Sequence, residues 1–301
     1  MMDYKHKQPF GDRLSIALKK FETPLCVGID PHISLMPEFF KSPNRKQQVE
    51  KIKSFSLSCI DAAQNRVPAI KPQVALFEKF GPEGMEVLQQ IGKNASSAGL
   101  LTIMDAKRGD IGSTSEAYAN AWLGDNSHFY ADALTVNPWM GLETIDPFIK
   151  IAKDKGKGVF ILVKTSNPGS KDIQSLEVNG ESVFLKISKL IKENLPLNLG
   201  KSGYSNIGIV VGATKPKEAE LIRKILPNHL FLVPGFGAQG GSAKDAFSGL
   251  ILNENIYEGG LINSSRAVLF PEKSKKYNNV YEWRETVIMA LSKAKKDLMI
   301  N

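Results

Sequence analysis

Leu100-Leu-Thr-Ile-Met-Asp105-Ala-Lys107-Arg-Gly-Asp110 is a short apolar run that ends abruptly in charge. An apolar run of this length, bounded by polar residues, fits a strand buried on both faces, as in a parallel sheet. The same form recurs along the chain. Runs lie at 24–30 (PLCVGID), 68–75 (PAIKPQVA), 100–105 (LLTIMD) and 131–136 (ADALTV). Four more follow at 158–164 (GVFILVK), 207–212 (IGIVVG), 230–234 (LFLVP) and 261–265 (LINSS). Amphipathic segments intervene, for example 46–65 and 215–226. Eight strands alternating with helices predict an α/β fold, a single (β/α)8 TIM barrel. An open doubly wound sheet would show the same alternation and stays open at this point.

No internal repeat or low-complexity linker divides the chain, so one domain spans 1–301. A short mobile extension is expected at Met1–Lys7 and a terminal helix at 281–298. Residues 165–180 form the longest irregular piece, long enough for a functional loop. A second Gly-rich segment lies at 234–242.

Composition is that of an ordinary globular protein, with 42% hydrophobic and 23% charged residues. No apolar run approaches the ~20 residues needed to span a bilayer, and the N-terminus lacks the apolar stretch of a secretory signal. The reading is of a cytoplasmic protein. Its net charge of +8 suits either nucleic acid or small anionic ligands. The excess lies largely in scattered lysines such as Lys273, Lys275, Lys276, Lys293, Lys295 and Lys296, which read as solvated surface, not a nucleic-acid stripe. Cys26 and Cys59 form no CxxC, and the four histidines stand apart, so neither a disulfide framework nor a metal site is expected.

In a barrel of this kind the active site forms at the C-terminal strand ends. Those ends carry Asp30, Lys71, the segment Asp105–Asp110, Lys164-Thr165-Ser166, Gln239 after strand seven, and Ser265-Arg266. Asp105 and Lys107, two apart, share one side of an extended strand. With Asp30 and Lys71 they would form an alternating charge network in which each buried charge has a partner. Such a network can be purely structural. It can also hold Lys107 protonated and ready to deliver its proton. The segment Pro234–Gly241 lets backbone N–H groups approach an anion, and Arg266 offers a planar fork for phosphate oxygens.

These blocks resemble one family. Asp105-Ala-Lys107-Arg-Gly-Asp110-Ile111-Gly-Ser-Thr114 is similar to the orotidine 5′-phosphate decarboxylase signature D-x-K-x-x-D-[IV]-[GP]-x-T. Val27–Pro31, Lys164–Gly169, Val210–Thr214, Pro234–Gly241 and Asn263–Arg266 resemble further blocks in the same order, and their spacing looks like the longer bacterial (type 2) branch. The resemblance implies decarboxylation of orotidine 5′-monophosphate to UMP, the last step of pyrimidine nucleotide synthesis, without cofactor or metal. It implies that Lys107 protonates C6, that Asp105 sits by the scissile carboxylate, and that Asp30 and Lys71 hold ribose hydroxyls and complete the network. It further implies a homodimer in which Asp110, Ile111 and Thr114 enter the partner's site. Gln239 and Arg266 would grip the phosphate, Thr165 or Ser166 would contact the pyrimidine, and Pro234 and Ser265 would line the site.

Two rivals remain. One is a metal-dependent sugar-phosphate decarboxylase or aldolase barrel sharing D-x-K-x-x-D, whose metal would be repelled by Lys71. The other is a non-catalytic phosphate-binding barrel, which has no need of Asp105, Lys107 and Asp110 together.

Overall fold

Alternate residues of each apolar run face opposite ways, and both faces find hydrophobic partners. In the first strand Leu25, Val27 and Ile29 join the cluster beneath the outer helices, while Cys26 joins a second cluster inside the barrel. This two-sided burial is why the runs lack polar residues until their ends. The computed structural model describes residues 8–237, 240–271 and 276–299. Met1–Lys7, Gln239, Lys273 and Lys275 lie outside the described residues.

The eight barrel strands are β1 (Leu25–Ile29), β2 (Ala69–Pro72), β3 (Leu101–Arg108) and β4 (Ala133–Val136), then β5 (Gly158–Lys164), β6 (Ile207–Val211), β7 (Leu230–Pro234) and β8 (Gly260–Ser264). Each pairs in parallel with its sequence neighbours, and β8 returns to β1 through Leu25↔Ile262, closing the barrel. The open-sheet alternative is thereby excluded. Helices Arg45–Ala63, Gly81–Ser97, Gly112–Leu123, Asp146–Asp154, Val183–Asn194 and Pro216–Ile225 form the crossovers, and Val280–Asp297 closes the ring. The three helices expected from sequence shift by only one or two residues at their ends.

Sequence reading missed the helix Phe10–Phe21. Its Phe10, Leu14 and Leu18 enter the interior cluster with Ala69, Ile103, Ala133, Phe160 and Leu261, so it plugs the N-terminal end of the barrel. A Cβ at Gly158 would collide with the Phe10 ring, which fixes the closeness of that approach. Polar ties hold the plug in place. Asp12 accepts from the backbone N–H groups of Lys201 (3.0 Å) and Ser202 (2.7 Å), and Arg13 pairs with Asp132.

Segment 165–180 is less irregular than expected. It contains a helical turn, Ser170–Ile173, and the start of a small hairpin pairing Glu177–Val178 with Glu181–Ser182. Among the described residues no helix is long and apolar enough to cross a membrane.

Candidate active site

The plug fills the barrel from below, and a cavity opens at the C-terminal strand ends. Its volume is about 280 Å³, and it is lined by Asp30, Lys71, Asp105 and Lys107 from β1–β3, and by Thr165, Ser166, Pro234, Ser265 and Arg266 from β5, β7 and β8. Nine residues named from sequence therefore meet in one place.

Asp105 is the hub. Its Oδ2 accepts from Lys71 Nζ at 2.6 Å and from Gln73 Nε2 at 3.1 Å. Its Oδ1 accepts from Lys107 Nζ at 2.5 Å and from Thr135 Oγ1 at 3.1 Å. Burial alone would raise the carboxyl pKa, but the ammonium groups of Lys71 and Lys107 outweigh it and hold Asp105 well below the usual carboxylate range. Burial alone would likewise discharge Lys71, yet the charges of Asp105 and then Asp30 keep its pKa above that of an ordinary lysine. The favourable pairing wins because both oxygens are engaged, as a buried ion pair requires. Lys107 differs in exposure: its side chain is 44% accessible, so its ammonium faces the cavity.

Local backbone irregularity creates this arrangement. Met104 pairs with Leu134 and Arg108 with Val136, so three residues of β3 face the single Thr135 of β4. The bulge places two inward side chains, Asp105 and Lys107, where a regular strand would place one. Lys107 adopts φ 48°, in the left-handed region that non-glycine residues seldom occupy.

The expected network of four charges is only partly present. Asp30 forms no ion pair among the described residues, and its Oδ1 is buried without a hydrogen-bond partner. It acts on Lys71 through its charge alone. A Cβ at Gly28 would collide with Ser265 Oγ, so a glycine there lets β1 and the end of β8 meet at the cavity. Asn263 Nδ2 donates to the same hydroxyl at 3.2 Å.

Lys164 is a correction. The sequence places it among the charges at the mouth, but it is 1% exposed and lies outside the cavity lining. A bulge between Leu162 and Lys164 pairs it with outward-facing Val211 and so turns it over. Its Nζ donates to Ser175 Oγ at 2.5 Å and lies 5.1 Å from the Phe184 ring centroid, and burial lowers its pKa. Thr165 and Ser166 remain at the cavity. Gln174 bridges to Thr165, accepting from its N–H at 2.9 Å and donating to its hydroxyl at 2.9 Å.

Asp110, Ile111 and Thr114 do not reach this cavity. Asp110 Oδ1 accepts from Ile111 N–H at 2.8 Å, and Ile111 is 61% exposed. Trp139 and Met140, on the loop after β4, are also exposed. Gln239 lies outside the described residues. Sequence reading overlooked Gln73, Thr135 and Asn263 as site residues. Gln73 follows Lys71 by two, the strand spacing that could have found it.

Among the described residues no group of three or more His, Cys, Asp or Glu side chains could hold a metal. Both cysteines are free and buried, and burial pushes the Cys26 thiol up to about 12.

Residues 23–276 match the sequence model of the orotidine 5′-phosphate decarboxylase / HUMPS family. The chain is 39% identical to an orotidine 5′-phosphate decarboxylase from Rhodopirellula baltica, over 92% of this chain and 95% of that one. A relative of the same name from Caldicellulosiruptor bescii is 37% identical, over 88% and 90%. Among solved structures, the OMP decarboxylase of Leishmania donovani superposes with a TM-score of 0.73 at 31% identity, over 97% of each chain.

Proposed function

Because the chain belongs to the orotidine 5′-phosphate decarboxylase / HUMPS family, we infer that its cavity removes the C6 carboxylate of orotidine 5′-monophosphate to give UMP. The observation that carries this reading is the placement of Lys107, an accessible ammonium, on Asp105 Oδ1 inside a cavity that also holds Arg266.

The chemistry follows from the charges. The bond between C6 and the carboxylate breaks, CO2 leaves, and the electron pair stays on C6. Lys107 stands beside that carbon as the proton source, and its proton is later restored from solvent. Asp105 lies next to the departing carboxylate, kept ionised by Lys71. The buried ion pair presents charge fixed before the substrate arrives, so little reorganisation accompanies the reaction. Asp30 Oδ1, an acceptor without a partner, suits a ribose hydroxyl. Arg266 suits the phosphate, and Thr165 and Ser166 suit the pyrimidine edge. Binding energy from the phosphate, remote from C6, then orients the reacting ring.

The active unit in this reading is a cytoplasmic homodimer, without cofactor. Exposed Ile111, Trp139 and Met140 supply apolar surface beside Asp110, as a second copy would require. Asp110 and Thr114 would then complete the partner's cavity. The two free cysteines suit a reducing compartment, and the length and bacterial relatives favour the longer bacterial branch.

The test is loss of orotidine-monophosphate absorbance with purified protein in EDTA. Metal-independent formation of UMP is expected. A folded protein that turns over only after metal is restored would favour the sugar-phosphate barrels instead.

A further inference from the structure

We propose that Thr135 is a positioning residue for proton transfer by Lys107, a role that rests on the decarboxylase reading. The argument starts from the strand mismatch. Asp105, Ala106 and Lys107 all lie between the two β3–β4 register pairs, opposite Thr135 alone. Regular ladder bonding cannot serve three residues from one. The backbone N–H of Lys107, at φ 48°, donates instead to Thr135 Oγ1 at 2.9 Å.

That hydroxyl has a second bond. An N–H can only donate and an ionised carboxylate can only accept, so the directions are settled. Oγ1 accepts from Lys107 N–H and donates its own proton to Asp105 Oδ1 at 3.1 Å. This is the same oxygen that receives Lys107 Nζ at 2.5 Å. One hydroxyl therefore holds the backbone of the proton donor and the carboxylate that aims its ammonium.

Thr135 is suited to this by more than its hydroxyl. It is 1% exposed, so water does not compete for either bond. Its β-branched side chain is restricted at χ1, which keeps Oγ1 directed between its two partners. Small displacements of a reacting group cost rate steeply. The predicted consequence of losing the hydroxyl is therefore slower turnover with little change in substrate binding.

The experiment compares the full-length wild type with Thr135→Val, which keeps the shape, and Thr135→Ser, which keeps the hydroxyl. For each, kcat and KM with orotidine 5′-monophosphate, UMP affinity and thermal unfolding are measured. The Val variant should lose about ten- to a hundredfold in kcat, with KM and UMP affinity within about threefold. Ser should recover most of kcat. A Val variant with undiminished kcat, or a Ser variant that falls as far as Val, overturns the role of the hydroxyl. If Val does not fold, Thr135→Ala replaces it and the contrast with Ser carries the same two outcomes. Wild type without turnover overturns the decarboxylase reading and this role together, whereas active wild type beside an undiminished Val variant overturns only the latter.

Discussion

Lys71 Nζ and Asp105 Oδ2 lie 2.6 Å apart with side chains only 4% and 10% exposed. Asp105 is the one carboxylate within ion-pair distance of Lys71 among the described residues, whereas Asp105 also has Lys107. The two partners are thus unequal. Asp105→Ala strands a buried ammonium and should destabilise the fold by about 3–5 kcal/mol in urea unfolding. Lys107→Ala removes a half-exposed group from a carboxylate that keeps Lys71, and should cost about 1 kcal/mol or less. Equal losses would show that the pair is not the buried anchor described.

Lys107→Ala should abolish turnover far more than binding. Its folded state is retained by the preceding argument, so inactivity cannot be assigned to unfolding. The check is kcat against UMP affinity by calorimetry: kcat should fall at least about a thousandfold, within the reach of general-acid and electrostatic terms together. Substantial residual turnover would assign the proton to another group.

Asp110 offers a test of the shared site. Lys107→Ala and Asp110→Ala proteins, each inactive alone, are mixed under conditions that exchange subunits. If Asp110 completes the partner's cavity, random pairing of two-fold dimers restores about a quarter of native sites. Failure of exchanged mixtures to regain activity would keep Asp110 within its own chain's business or outside catalysis altogether.

His229 predicts a pH dependence remote from the site. It is 4% exposed, its Nδ1 lacks a hydrogen-bond partner, and burial followed by the charge of Arg223 lowers its pKa to about 4. The unfolded chain takes up the proton near pH 6.5, before the folded one does, so stability is full above that pH and is lost as pH falls toward 4. The shift from about 6.5 to about 4 corresponds to roughly 3 kcal/mol. His229→Gln should flatten the melting temperature between those pH values, and an unchanged slope would relieve His229 of the effect.

The eight strands were legible because both faces of each are buried, which imposes an apolar run that no solvent-facing segment needs. The charged ends were legible for the complementary reason, since polar residues enter only where the interior opens. The helix Phe10–Phe21 escaped notice because its partner is the barrel floor, formed by residues from many separate strands. Asp105, Lys107, Lys71 and Arg266 could be named from residue type and motif, and the structure brings them to one cavity. Lys164 could not be placed in the same way. Its neighbours in sequence predicted an inward side chain, and a one-residue bulge reversed it.

By itself the sequence determined eight strands alternating with helices, the strand ends at which chemistry would gather, and the family. These depend on pattern and composition, which are local. Closure of the sheet into a barrel awaited the pairing of β8 with β1. Tertiary structure alone decided which charges touch. It paired Asp105 with Lys71 and Lys107, left Asp30 Oδ1 without a partner, and set Thr135 opposite three residues of β3. The physical reason is register. A hydrogen bond depends on offsets of an ångström between strands, and bulges set those offsets through pairing between segments far apart in the chain.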